Sequence, residues 1–284
     1  MLLLAAVLAR LDRIGLERIE AATPRSFGFW TALLGAYLAL PLSEWVIYRR
    51  LWKLPASGFI ALLKKFVSNE VLLGYSGELA FYAWARTRSN LSAAPFAAIK
   101  DVSITSALAG NIATLAMLVL VWPDAGKLHL AIGRASLDWS IAVMLCITLG
   151  IVVLNRRIFS MPRAELGWIF AIHLLRLATM TGLAMLTWHF ALPLIGWPVW
   201  ATLAALQLVV MRLPIVPNKE LLFAAATMMV TPAASSVANL IALIATLILA
   251  IHLVIGGALA LSDLLDDGRD VAATPSANWK GRRL

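Results

Sequence analysis

Cysteine is nearly absent. The one residue, Cys146, lies inside an apolar run, which excludes an intrachain disulfide and a multi-cysteine metal site. Charge is also scarce: 14% of the 284 residues are charged, against about 25% in a typical soluble domain. Common catalytic signatures are missing. There is no HExxH, no GxSxG, no Walker motif and no GxGxxG ahead of a strand. The four histidines (His129, His173, His189 and His252) are scattered without ligand spacing. No metal, no cofactor and no catalytic residue is expected.

What is abundant is apolar surface. Hydrophobic residues make up 61% of the chain, and the mean hydropathy is +0.86. A core cannot absorb such an excess, so lipid must be the second solvent. The net charge of +9 does not point to nucleic acid. Lys and Arg sit in short clusters between apolar runs, where loop charge sets membrane orientation. Many of the eleven tryptophans, including Trp30, Trp45, Trp122, Trp139, Trp188 and Trp197, lie near run ends, as interfacial belts require.

Spanning a bilayer takes roughly 20 apolar residues. Gly28–Tyr48, Pro95–Trp122, Trp139–Asn155, Gly167–Phe190 and Val237–Leu261 qualify. The fold class is therefore all-α, a polytopic membrane bundle. Residues 1–27 form a short apolar start and an interfacial segment, 28–261 the membrane domain, and 262–284 a polar tail expected to be disordered. Met1–Ala9 is too short to span and lacks the basic region of a signal peptide.

Two stretches fit neither a span nor a loop. Ala56–Ala85 is apolar yet holds Lys64, Lys65, Asn69, Glu70, Gly74, Gly77 and Glu78. Val199–Val230 is apolar yet holds Arg212, Pro214, Pro217, Asn218, Lys219 and Glu220. Each reads as two short halves around a polar, helix-breaking centre, the pattern of a broken or re-entrant helix. The centres resemble each other: Glu78-Leu-Ala-Phe-Tyr-Ala83 and Glu220-Leu-Leu-Phe-Ala-Ala225 share Glu, Leu, Phe and Ala in register. Broken segments at matching places in two halves suggest a transporter-like repeat with a site between them. Placing the loops of Arg49, Arg50, Lys53, Arg156, Arg157 and Arg163 in the cytoplasm makes the two segments enter from opposite faces. Arg10, Arg13, Arg18 and Arg25 violate that assignment, partly offset by Asp12, Glu17 and Glu20.

Charge at membrane depth costs about 2.5–3.5 kcal/mol even on the mildest scale, so each such residue needs a reason. Lys100, Ser103, Ala107, Gly110 and Asn111 share one helical face, polar and small, suited to a helix interface or a wet cavity. His173 and Arg176 lie one turn apart, and the Arg fork matches phosphate. With Lys64, Lys65, Arg212 and Lys219, Arg176 is suited to an anionic lipid headgroup, while Glu78 and Glu220 balance those cations or a cationic group. The candidate substrate-binding residues are Glu78, Lys100, Asn111, His173, Arg176, Arg212, Lys219 and Glu220. Plainer readings stand beside these. Lys64, Lys65 and Arg212 snorkel, Lys100–Asp101 marks a helix end, His173–Arg176 is a buried structural pair, and the two glutamates complement half-helix dipoles.

The stretch Tyr48-Arg-Arg-Leu-Trp-Lys-Leu-Pro55, with Asn69-Glu70, Gly77-Glu78 and Ala85-Arg86, resembles the first half of the lysylphosphatidylglycerol synthase flippase-domain family. Arg212-Leu-Pro-Ile-Val-Pro-Asn-Lys-Glu220 resembles that family's second, proline-containing break. The resemblance covers roughly residues 28–261. It departs from the pattern where Asn218 and Lys219 stand in place of glycines, which argues against close backbone approach to a ligand there. The soluble synthase domain is not expected. The resemblance implies two re-entrant segments around a lipid-headgroup cavity and movement of a lipid between leaflets. The leading expectation is thus a flippase-like translocase of a bacterial inner membrane, acting on an anionic or zwitterionic lipid or a lipid-linked intermediate. A membrane-embedded lipid-modifying enzyme and an accessory subunit of an envelope-lipid biosynthetic enzyme are the alternatives.

Overall fold

Prolines and polar turns cut the apolar chain into helices of two lengths. The computed structural model describes residues 24–72, 76–87, 95–125, 142, 145–146, 148–150, 158–213, 216, 218–231 and 236–273. Among these, the long helices are α1 (Phe27–Trp52), α4 (Pro95–Ala125), α5 (Arg163–Ala191) and α8 (Ser236–Ala273). The short ones are α2 (Ser57–Val71), α3 (Ser76–Thr87), α6 (Trp197–Met211) and α7 (Lys219–Val230). Residues 142, 145–146 and 148–150 are helical too, and the rest of the expected Trp139–Asn155 span lies outside the described residues. All four long helices are long and apolar enough to cross a membrane. The chain is a helical membrane protein.

Local chemistry explains the ends. Helix α1 stops at Lys53, which adopts a left-handed φ of 53°, with Pro55 two residues on. Arg49 and Arg50 occupy its last turn, where the dipole favours cations. Pro162 precedes α5, and Pro198 sits in the first turn of α6, positions where a missing amide proton costs nothing. Helix α8 was expected to end near Leu261 but continues to Ala273. Its Asp263 is ion-paired with Lys64 of α2, a tertiary contact that hydropathy does not encode. Lys64 is thereby held at the surface.

Both expected broken segments are pairs of short helices. Helices α2 and α3 have 15 and 12 residues, and so do α6 and α7. At 1.5 Å per residue they reach roughly 22 and 18 Å, short of the ~30 Å hydrocarbon core.

Two aromatic-rich clusters close the ends of the bundle. One gathers Tyr48 and Trp52 from the end of α1, Leu62 of α2, Phe81 and Ala85 of α3, Ile99 of α4 and Ile169 of α5. The other gathers Phe29 from the start of α1, Trp188 from the end of α5, Trp200 of α6, Phe223 of α7 and Ile241 of α8. Helix α1 is antiparallel to α5, and Arg50 at its end pairs with Glu165 at the start of α5, 3.0 Å apart. The α2–α3 pair therefore packs into one end of the bundle and the α6–α7 pair into the other. Phe81 and Phe223, the matching phenylalanines of the two ELxFxA segments, are each 1% exposed and anchor opposite clusters. Helix α8 packs on both α2 and α7 and spans the two pairs.

Candidate functional site

The inner ends of the two helix pairs meet. The backbone amide of Asn218, entering α7, donates to the carbonyl of Glu70, near the end of α2, at 3.0 Å. Asn218 sits at φ 52°, a conformation costly to most residues but accessible to Asn. Its side chain caps α7 by accepting from the Leu221 amide. Asn218 thus meets the left-handed demand that glycine would otherwise meet. In the first break, Asn69 Oδ1 accepts from the Gly77 amide at 2.8 Å. A Cβ on Gly77 would collide with the carbonyl oxygen of Lys65, so glycine is what lets α3 press against α2.

Around this junction lies a cavity of about 280 Å³, near the lower end of small-molecule sites. Its lining includes four carboxylates (Glu44, Glu70, Glu78 and Glu220) and four cations (Lys65, Arg176, Arg212 and Lys219). The same space continues along an apolar wall with Leu33, Met180, Trp188, Phe223, Ile241 and Ile248. Five of the eight expected site residues are therefore brought together: Glu78, Arg176, Arg212, Lys219 and Glu220.

The charges are not equivalent. Lys65 is 3% exposed. Its ammonium lies 2.6 Å from Glu44 Oε1 and 3.5 Å from Glu78 Oε1, tying α1, α2 and α3 together. Buried ion pairs need such multiple partners to offset desolvation. Arg176 of α5 is 7% exposed. It donates to Ser106 Oγ of α4 at 3.2 Å, and no carboxylate pairs with it among the described residues. It lies within electrostatic range of Glu44 and Arg212. The Arg212 guanidinium occupies the space that a Cβ on Gly110 of α4 would need; the small face of α4 thus accommodates an arginine from the second break. Lys219 donates to the Met211 carbonyl at 3.1 Å. Gln207 Nε2 donates to both carboxylate oxygens of Glu220, each at 3.2 Å. Farther along the wall, Tyr37 and His252 are hydrogen-bonded at 3.0 Å.

Three expected site residues lie elsewhere. Lys100 faces the start of α5, donating to the Ile158 carbonyl and to Ser160 Oγ. Its neighbour Asp101 is fully buried and accepts from the Ser160 and Met161 amides at 2.7 Å each. The pair, inside α4 rather than at its end, fixes the entry to α5. Asn111 donates to Thr148 Oγ1 at 3.2 Å, because its side of α4 turns towards residues 148–150 rather than the cavity. His173 is fully buried in the protein and contributes no surface to the cavity.

Glu44 and Glu70 are two further charges inside apolar stretches, and their place in the cavity supplies the reason for them; Lys65 is buried there between two glutamates and does not snorkel. Gln207 and Ser106 carried no signal in the sequence: each is an ordinary polar residue within an apolar helix. No family model, no curated protein and no solved structure matches this chain, so the resemblance to the flippase-domain family stands on its short motifs alone.

Proposed function

We propose that this protein is a flippase-like lipid translocase of a bacterial inner membrane, moving an anionic or zwitterionic lipid or lipid-linked intermediate between leaflets. One observation carries the reading: a single cavity joins a buried charged junction to an apolar wall. A lipid has the same division, with a charged headgroup and an acyl tail. Arg176, Arg212 and Lys219 supply donors for an oxyanion, and guanidinium forks match phosphate geometry. The apolar wall removes the penalty of exposing tail to water.

The two helix pairs support the same reading. Their equal lengths, their matched Glu and Phe positions and their packing into opposite ends of the bundle suit an inverted repeat. In such an arrangement, non-spanning helices are tolerated at depth because protein and a wet cavity cover their ends. With α2–α3 entering from the basic side and α6–α7 from the other, rocking of one pair against the other would expose the junction to each face in turn.

The direct test is reconstitution of the purified protein in vesicles with fluorescent analogues of phosphatidylglycerol and phosphatidylethanolamine. Quenching of the outer leaflet reports exchange. Exchange that rises with protein content is the expected result. Chemical conversion of the lipid without exchange would favour an enzyme. Neither activity, with stable co-purification of an envelope enzyme, would favour an accessory subunit.

A further inference from the structure

Glu220 differs from the other acids at the junction. Glu44 and Glu78 share the ammonium of Lys65, whereas Glu220 forms no ion pair among the described residues. Both its oxygens instead face one neutral amide, Gln207 Nε2 of α6. The charged and titratable groups that line the same cavity include Glu70 and Lys65 from α2, His252 from α8, Glu44 from α1, Glu78 from α3, Arg176 from α5, Arg212 at the end of α6 and Lys219 on α7 itself. Lys219 is turned to the Met211 carbonyl.

We infer that Glu220 and Gln207 form a proton-binding site inside the cavity. A lysine partner has only donors and suits only the ionised acid. An amide has both a donor and an acceptor, so it suits both states: Nε2 donates to the carboxylate, and after an amide turn Oε1 accepts from the carboxylic O–H. Two opposed influences keep both states within reach. The first turn of α7, where Glu220 sits, favours negative charge. Glu70 lies within electrostatic range and repels it. One proton from water adds to a carboxylate oxygen, the charge of the junction rises by one, and the same proton returns to water on release. An ionisable group that faces the interior of a membrane bundle is suited to such a relay. That this proton travels with a lipid rests on the translocase reading; the proton site itself does not.

Two measurements separate the claims. Infrared pH titration of the full-length protein in vesicles reports protonated carboxyl groups without any lipid substrate. The expected result is a carboxylic-acid band that titrates in the wild type and is lost in Glu220→Gln. Gln207→Lys supplies a permanent cation and is expected to weaken the band as well, which keeps the test available where Glu220→Gln does not fold. A titration unchanged in both variants overturns the proton site, whatever the exchange assay gives. Under an imposed pH difference, exchange of labelled phosphatidylglycerol is expected to change several-fold in the wild type and not in Glu220→Gln. Wild-type exchange indifferent to the pH difference overturns the coupling, while absence of all exchange alongside an intact Glu220 band removes the translocase reading instead.

Discussion

Removing Lys65 would leave Glu44 and Glu78 together in a buried place without their shared cation. Breaking a buried pair in this way costs about 3–5 kcal/mol. Lys65→Met is therefore expected to lower the unfolding midpoint sharply in detergent, and adding Glu44→Gln to recover part of the loss. An unchanged midpoint in Lys65→Met would contradict the geometry. Two glycines give a second contrast. A Cβ at Gly77 meets backbone, whereas one at Gly110 meets the far end of the Arg212 side chain. Gly77→Ala is expected to cost about 1–3 kcal/mol and Gly110→Ala clearly less, read from the same unfolding curves. At this scale the sequence is partly legible. A charge inside an apolar run announces itself, and so Glu78, Arg176, Arg212, Lys219 and Glu220 can be named in advance. Direction cannot be read that way: Lys100 and Asn111 share a nominal face with Gly110, yet Lys100 contacts Ile158 and Ser160 and Asn111 contacts Thr148, while Gly110 meets Arg212.

At the scale of helices, the two broken pairs are legible because clusters of polar residues with glycine or proline interrupt the apolar runs there, whereas an isolated proline such as Pro41 is carried inside α1. The ELxFxA match has a physical meaning beyond likeness. In both copies the Glu lines the cavity and the Phe anchors an end cluster. Helix ends set by tertiary contact are not legible, and α8 runs past its apolar stretch with Lys64 held by its Asp263. The proposed inverted placement of the pairs has a direct check. In a Cys146→Ser background, cysteines at Pro55 and Arg86 are expected to react with an impermeant reagent from one side of the membrane. Cysteines at Trp197 and Val230 are expected to react from the other. Reaction of Pro55 and Arg86 positions from opposite sides would refute the arrangement of the first pair.

For the whole molecule, the account depends on the junction where α2 and α7 meet and on the apolar wall that runs from it. Neither feature follows from any one segment: the junction joins residues 148 positions apart in the chain, Glu70 and Asn218. Arg176 is the most informative member. It is buried, lines the cavity, has only Ser106 as hydrogen-bond partner among the described residues and so is available to an oxyanion. A hydrogen bond to a charged group contributes about 1.5–3 kcal/mol, and 1.4 kcal/mol is tenfold in an equilibrium. The decisive measurement is the exchange rate of labelled phosphatidylglycerol in vesicles carrying equal amounts of folded wild type and Arg176→Ala. The expected result is protein-dependent exchange in the wild type that falls roughly tenfold or more in Arg176→Ala. Equal exchange by the two proteins would contradict the assignment of this cavity as the path of the lipid headgroup.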